Sequence, residues 1–525
     1  GVDARRATEN VDCPSSQLPE GKLWLLWVQS TQNWFHRLGQ KLKLPGGRWE
    51  AQQQQPAKRR LHLEVCEPRC LLSGTPLDIA GDIGEEDRPT NVDVAAIPAY
   101  THGTLLYAEQ SSDFPYGKES TFFLESNPTA TKTIYLDFDG HHSVNNGWEH
   151  DIVFPAFDRD NNPGSFSDSE LSEIQKQFLH VAEDYLPFDI NVTTKDPGVD
   201  DLRKSGAGDD RWGIRSVNTQ ATSGFGVGIG GWASPNSFSF SMDAPVFIFN
   251  KGAINGGMTN SHEIGHSLGL DHDGLDESDY HLGVGSGETS WGPIMGAPYG
   301  KNLVQWSNGD YSGSTTQEDD LALITQTANG FGYRNDDHGD TRGTATDMSP
   351  DSDFHIQSWG IIERRSDLDY FSFDTGTGEI SLSINPPVAN PSLDLQARLL
   401  DSSGNEIAKS NPTDLVGASF DLSLPKGTYF LEIVGVGKPG VYSDYGSLGF
   451  FKIEGVVADP TNDPPTLNSI SQQFLAEDAA GKTVRLTGMT AGGNESQPLR
   501  VTATSSQTDL LPHPTVSYST PDQEG

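Results

Sequence analysis

From residue 131 the chain moves between two hydrophobic periods. Thr133-Ile134-Tyr135-Leu136-Asp137-Phe138 reads as a strand of β-branched and aromatic residues, stopped by Gly140. Ser167-Asp168-Ser169-Glu170 is a capping box. Behind it Leu171, Ile174, Phe178, Val181, Ala182 and Tyr185 recur at helical spacing, and Pro187 ends the run. His180 falls on the charged side of this predicted helix, where a solvated residue is expected. Residues 188–194, 212–217 and 245–249 predict further strands between Gly- and Asp-rich turns, and 317–327 predicts a closing helix. The fold class for 131–335 is therefore α/β (α+β) with a mixed twisted sheet.

Beyond Tyr333 the period shortens to two. Tyr370-Phe371-Ser372-Phe373, residues 395–400, the turn Ser403-Gly404-Asn405 and Gly427-Thr428-Tyr429-Phe430-Leu431-Glu432-Ile433 predict short strands with frequent turns, an all-β sandwich pattern. The linker Asp459-Pro460-Thr461-Asn462-Asp463-Pro464-Pro465 closes that region. A chain of 525 residues suits three or four such units, and 57 Gly with 32 Pro fit a turn-rich multidomain protein.

Charge narrows the partners. With 35 Lys+Arg against 73 Asp+Glu the formal charge is −38, which repels nucleic acid and anionic lipid. No apolar run approaches the ~18 residues of a transmembrane segment. Residues 1–70 differ, holding 11 Lys/Arg and 7 Asp/Glu, so 1–73 reads as a basic leader or export segment. Its apolar cluster at 23–28 is short of a secretory h-region of ~7 to 15 residues, and because the first residue is Gly1 a true leader would lie upstream. Cysteine occurs only at Cys13, Cys66 and Cys70, too few for a disulfide framework.

The chemistry concentrates in His262-Glu263-Ile264-Gly265-His266-Ser267-Leu268-Gly269-Leu270-Asp271-His272. His262 and His266 lie one helical turn apart, so both imidazoles leave the same face and can meet one ion at ~2.0 to 2.1 Å. A straight helix would carry His272 about 240° from His266. The chain must therefore turn between them, and Gly269 is the helix-ending glycine that permits it. Three imidazoles leave a fourth tetrahedral position open, the arrangement of a catalytic Zn2+ site. Glu263, about 100° round the helix, flanks the ion as general base for water attack on a carbonyl.

This segment resembles the metzincin zinc metalloendopeptidases, and Asp273 directly after the third histidine makes it most similar to the adamalysin or reprolysin-like branch. The resemblance covers 131–335. It implies a zincin fold, hydrolysis of protein or peptide substrates, and a methionine turn beneath the zinc, which Pro293-Ile294-Met295-Gly296 supplies, with Met295 as a floor and not a ligand. Astacins and serralysins carry a zinc-contacting Tyr two residues beyond that Met. Here Tyr299 lies further along, and the role is not carried over.

Asp367-Leu368-Asp369-Tyr370-Phe371 and Leu424-Pro425-Lys426-Gly427-Thr428-Tyr429 resemble the bacterial pre-peptidase C-terminal domain over 336–457. Residues 458–525 resemble a linker and a partial Ig-like repeat of bacterial surface proteins, which implies cell-surface or polysaccharide contact. Leu63-Glu64-Val65-Cys66-Glu67-Pro68-Arg69 is similar to the N-terminal segment of exported planctomycete proteins, implying a secreted or cell-surface location in a bacterium.

Residues 74–130 read as a linker or propeptide-like segment. Pro68-Arg69-Cys70 resembles the cysteine switch of matrixin propeptides, with Leu71 in place of the following glycine. Asp158, Asp160 and Asn162 alternate like the start of a Ca2+ loop, although Pro163 and Ser169 replace its glycine and glutamate, and a plain acidic loop is the competing reading. The Gly-rich run at 224–231 lacks Gly-Lys-Ser/Thr and an adjoining helix start, and is expected to form an edge strand or rim lining the cleft. Two other functions stay open: a surface adhesion or scaffold protein with an incidental protease domain, and a zinc amidase acting on peptidoglycan peptides. Since no candidate ligand or base lies after residue 335, cleavage is expected to survive deletion of 336–525.

Overall fold

Buried β-branched and aromatic residues set the first layer. The strand β1 (Lys132–Asp137) is buried at every position and is followed by the hairpin β2 (His141–Ser143) and β3 (Ile152–Phe154). Then come helix α1 (Asp168–Asp184), β4 (Asn191–Thr193), β5 (Trp212–Asn218), β6 (Gly231–Trp232), β7 (Val246–Ile248) and helix α2 (Ala253–Leu268). The strand order is β4-β1-β5-β7-β6, parallel except for β6, which runs antiparallel at the edge of this mixed sheet. This computed structural model describes residues 114–144, 151–220, 226, 228–461, 463, 465–476, 480–492 and 498–520. The basic leader, Cys70 and most of the 74–130 segment lie outside the described residues.

The capping box opens α1 as expected: Ser167 Oγ accepts from Glu170 N, and the Glu170 carboxylate accepts from Ser167 N at 2.7 Å. The helix at 317–327 is shorter than its pattern predicts. Two short strands, β8 (Trp291–Pro293) and β9 (Leu303–Gln305), precede it, and α3 spans only Asp320–Ile324. Side chains end it at both sides. Asp319 caps the first turn by accepting from Ala322 N, while Asn329 Nδ2 donates to the carbonyls of Leu323 and Ile324 in place of a next turn.

The second layer is the expected sandwich. It comprises β10 (Thr346–Asp347), β11 (His355–Ile362), β12 (Asp369–Thr375), β13 (Gly378–Asn385), β14 (Leu395–Leu400), β15 (Glu406–Ser410), β16 (Ala418–Leu424), β17 (Gly427–Gly435) and β18 (Gly449–Val456). These form two sheets, β10-β12-β17-β14-β15 and β11-β18-β13-β16. Inward residues alternate with outward ones, so Phe371 and Phe373 of β12 face Leu382, Ile384 and Phe451 within one buried cluster. From residue 466 on, where a partial Ig-like repeat was expected, the chain forms only an isolated bridge between Thr466 and Thr490 among the described residues, and Phe474 stays 76% exposed. No described helix is long and apolar enough to cross a membrane.

Two expectations are revised where the layers meet. His180 is 2% exposed, not solvated, because the sandwich covers the last turn of α1 while α2 touches its other side at Gly256 and Gly257. Burial pushes His180 down to about 4, Glu183 up to about 8 and Asp184 up to about 7. Phe450 N of β18 donates to Glu183, and Ser392 Oγ donates to Asp184. Trp306 Nε1 donates to the Asp184 carbonyl, and its ring packs on Tyr185 with centroids 5.2 Å apart. Gln305 Nε2 donates to Ser392 O, and Tyr445 OH donates to Asp319. One continuous apolar cluster runs from Ile134 and Phe178 through Trp306 to Leu393 and Phe450. The sandwich thus supplies one wall of the first layer's core and is not an appendage to it.

Candidate metal centre

Helix α2 brings His262, Glu263 and His266 into the interior, all at least nine-tenths buried. It stops at Gly269, whose φ of 110° places it in the left-handed region that glycine alone enters without cost. Its N–H and that of Leu270 bond back to Gly265 O and His266 O, a two-bond helix stop. The reversal returns His272 to the metal face, as the spacing required.

The three imidazoles converge. Ring centroids lie 4.8 Å apart for His262 and His266, 5.3 Å for His262 and His272, and 4.7 Å for His266 and His272. Their candidate ligand atoms all lie within 4.8 Å of one another. His262 Nδ1 bonds the carbonyl of Ile294 at 2.9 Å, and His266 Nδ1 bonds that of Leu270 at 2.8 Å. A carbonyl only accepts, so each Nδ1 carries its hydrogen and each Nε2 presents a lone pair. His266 Nε2 and His272 Nε2 are 3.0 Å apart. Two nitrogens on a tetrahedral zinc with bonds of ~2.0 to 2.1 Å would sit about 3.3 Å apart, so the His266–His272 pair matches that spacing within a few tenths of an ångström. The outer shell of hydrogen-bonded carbonyls is the support that metal-binding histidines need.

Met295 lies beneath α2, fully buried. A Cβ built on Gly265 would stand 2.5 Å from its sulfur, so helix and methionine are in direct contact. The methionine segment also carries Ile294, whose carbonyl orients His262, and Met295 O, which accepts from Asp273 N. Asp273 is 1% exposed, and burial, with Glu318 nearby, pushes its carboxyl up to about 7. Tyr280, which sequence reasoning missed, lays its ring over His272 with centroids 4.3 Å apart. Its only sequence signal is an aromatic residue between the third histidine and the methionine turn. Tyr299 instead reaches under α2, where Asn250 donates to its hydroxyl and Thr259 bonds it.

Asp158 and Asp160 gather with Glu170, their ligand oxygens within 4.8 Å of one another, and Asn162 N bonds both aspartates. Asp158 Oδ1 accepts from the N–H groups of Asp160, Asn161 and Asn162, and its Oδ2 from Gln220. Glu170 accepts from Arg159 N and from Ser167 N and Oγ. These bonds organise the loop and the start of α1.

A second carboxylate group lies in the sandwich, where no ligand was expected. Asp336, Asp337, Glu363, Asp367 and Asp369 bring ligand oxygens within 4.8 Å in two overlapping triads. Glu363 is 2% exposed and bonded to the Asp367 carboxyl, and Asp369 is fully buried with no hydrogen-bond partner for its carboxylate among the described residues. Burial, reinforced by the neighbouring acids, pushes both up to about 10. Such a set must hold protons or a hard cation, and an all-oxygen cage suits Ca2+. The available signal was the pair Asp367 and Asp369, two residues apart at the entry to β12. Millimolar Ca2+ is expected to raise the unfolding temperature, by the equivalent of about 2.7 kcal/mol at a hundredfold excess over Kd. Asp369→Asn should abolish the response. An unchanged melting curve of the wild-type chain with Ca2+ and with chelator would count against a cation there.

No family model matches the chain, and no curated protein matches it. Among solved structures it is weakly similar to the pre-peptidase C-terminal domain of collagenase from Bacillus anthracis, at 13% identity over 21% of this chain and 93% of that one, TM-score 0.17. It is also weakly similar to PliG of Aeromonas hydrophila, a periplasmic inhibitor of g-type lysozyme, at 12% identity over 22% of this chain and 96% of that one, TM-score 0.17. A mutant of the Escherichia coli PliG gives 11% identity over 22% and 99%, TM-score 0.15.

Proposed function

We propose that this chain is an extracellular zinc-dependent endopeptidase of the metzincin type. The observation that supports it most is the convergence of three buried imidazoles, two with Nδ1 tied to carbonyls so that Nε2 faces the centre. Zinc held there supplies a Lewis acid that polarises a peptide carbonyl and acidifies water. Glu263, next in sequence to His262 and 1% exposed, takes the proton of the attacking water and delivers it to the leaving amine. The edge strand β6 offers its outer side to an extended peptide by strand addition. A secreted or cell-surface location accords with the charge of −38.

The test is incubation of the full chain with a random peptide library, with cleaved bonds read by mass spectrometry. Internal cleavage lost on treatment with 1,10-phenanthroline and regained with zinc is expected. A zinc-loaded protein that cuts no library peptide would remove the endopeptidase reading. If that protein released peptidoglycan stem peptides, the amidase would take its place.

A further inference from the structure

The place where Glu263 meets the edge strand gives Gly231 a role. A Cβ built on Gly231 would lie 2.5 Å from Glu263 Oε1, 2.6 Å from its Cγ and 2.8 Å from its Cδ. Real Cβ atoms essentially never come so close, so one partner would have to move. The strand is held: Gly231 is in register with Ile248 of β7, and Gly230 O accepts from both Phe249 N and Asn250 N. Gly231 has no positive φ to strain a larger residue, so its backbone would tolerate alanine, and the three nearest atoms a Cβ there would meet all belong to Glu263. The helix that carries the base is meanwhile backed by Met295, which meets it at Gly265. The carboxylate is thus confined between its helix and a bare stretch of edge-strand backbone.

We propose that Gly231 is a positioning residue for Glu263: by carrying no side chain it forms the wall against which the carboxylate takes its working rotamer, on the strand proposed to seat the substrate. The proposal deepens the peptidase reading and rests on it for its kinetic consequence. The packing consequence stands without it.

The experiment uses the full chain as wild type, Gly231→Ala, Glu263→Ala and the double variant, each examined with and without zinc. In zinc-free protein Gly231→Ala is expected to lower the unfolding temperature by about 2–6 °C through overpacking. In the Glu263→Ala background, where the obstructing carboxylate is gone, that loss should vanish. In zinc-loaded protein, Gly231→Ala should keep full zinc content and near-normal KM but lose roughly 10²-fold in kcat, the scale of a 1 Å misplacement. Equal destabilisation in both backgrounds would overturn the contact. An unchanged kcat in Gly231→Ala would overturn the positioning role while leaving the peptidase reading intact. If wild type binds zinc but cuts no peptide, the peptidase reading fails and the thermal cycle still decides the contact. Should Gly231→Ala not fold, a folded double variant supports the wall, and failure of both refutes it.

Discussion

Glu263→Ala is expected to keep its full zinc content and to lose about 10² to 10⁴-fold in peptide turnover, whereas His272→Ala should lose both. The geometry separates the two roles. His272 brings its Nε2 to 3.0 Å from that of His266 and belongs to the converging set, so its removal leaves two imidazoles, too few for the ion. Glu263 lies about 100° round the helix from His262, so its truncation removes a proton acceptor and no ligand. It also opens space beside Gly231. Metal analysis beside turnover reads both consequences on the same samples. Near-normal peptidase activity in Glu263→Ala would sink the mechanism, even with three histidines confirmed on the metal.

The parts of this arrangement legible in sequence were those encoded locally. Ser167 and Glu170 announce the start of α1 because a capping box is satisfied within four residues. The spacing of His262 and His266 places them on one helix face, and the need for His272 to rejoin them singles out Gly269, which does adopt the left-handed conformation. Most of what escaped depends on contacts distant in sequence. His180 looked solvated from its helical face, but the residues covering that end of α1, Ser392 and Phe450, come from the sandwich. The extent of α3 escaped although its cause is local: the Asn329 amide, five and six residues beyond the last carbonyls, takes the place of backbone donors, which helical periodicity does not reveal. Asp336 and Asp337 gave no sign of meeting Glu363, which lies more than twenty residues further along and is brought to them only by the fold. Cysteine 70 and its proposed switch lie outside the described residues.

The same long-range contacts reverse the expectation that the catalytic region can stand without the sandwich. Deleting residues 336–525 is now expected to abolish cooperative folding and with it cleavage, although no ligand or base is removed. The cut would strip Leu393, Leu448 and Phe450 from the cluster that holds Trp306 and Tyr185. It would also expose Glu183 and Asp184, now bonded by Phe450 N and Ser392 Oγ, at the end of the helix on which α2 packs. Loss of a single buried aromatic costs about 3 to 5 kcal/mol, against a total stability of about 5 to 15 kcal/mol for a domain, so losing the whole wall exceeds what the remainder can supply. Deletion from residue 466 on is the matched control. That stretch contributes one isolated bridge among the described residues and should leave both the melting transition and turnover nearly unchanged. Circular dichroism melts and peptide turnover on the two truncated chains decide the matter. A 1–335 chain that unfolds cooperatively and cleaves peptides at the full-length rate would show that the sandwich merely rests on a core already complete.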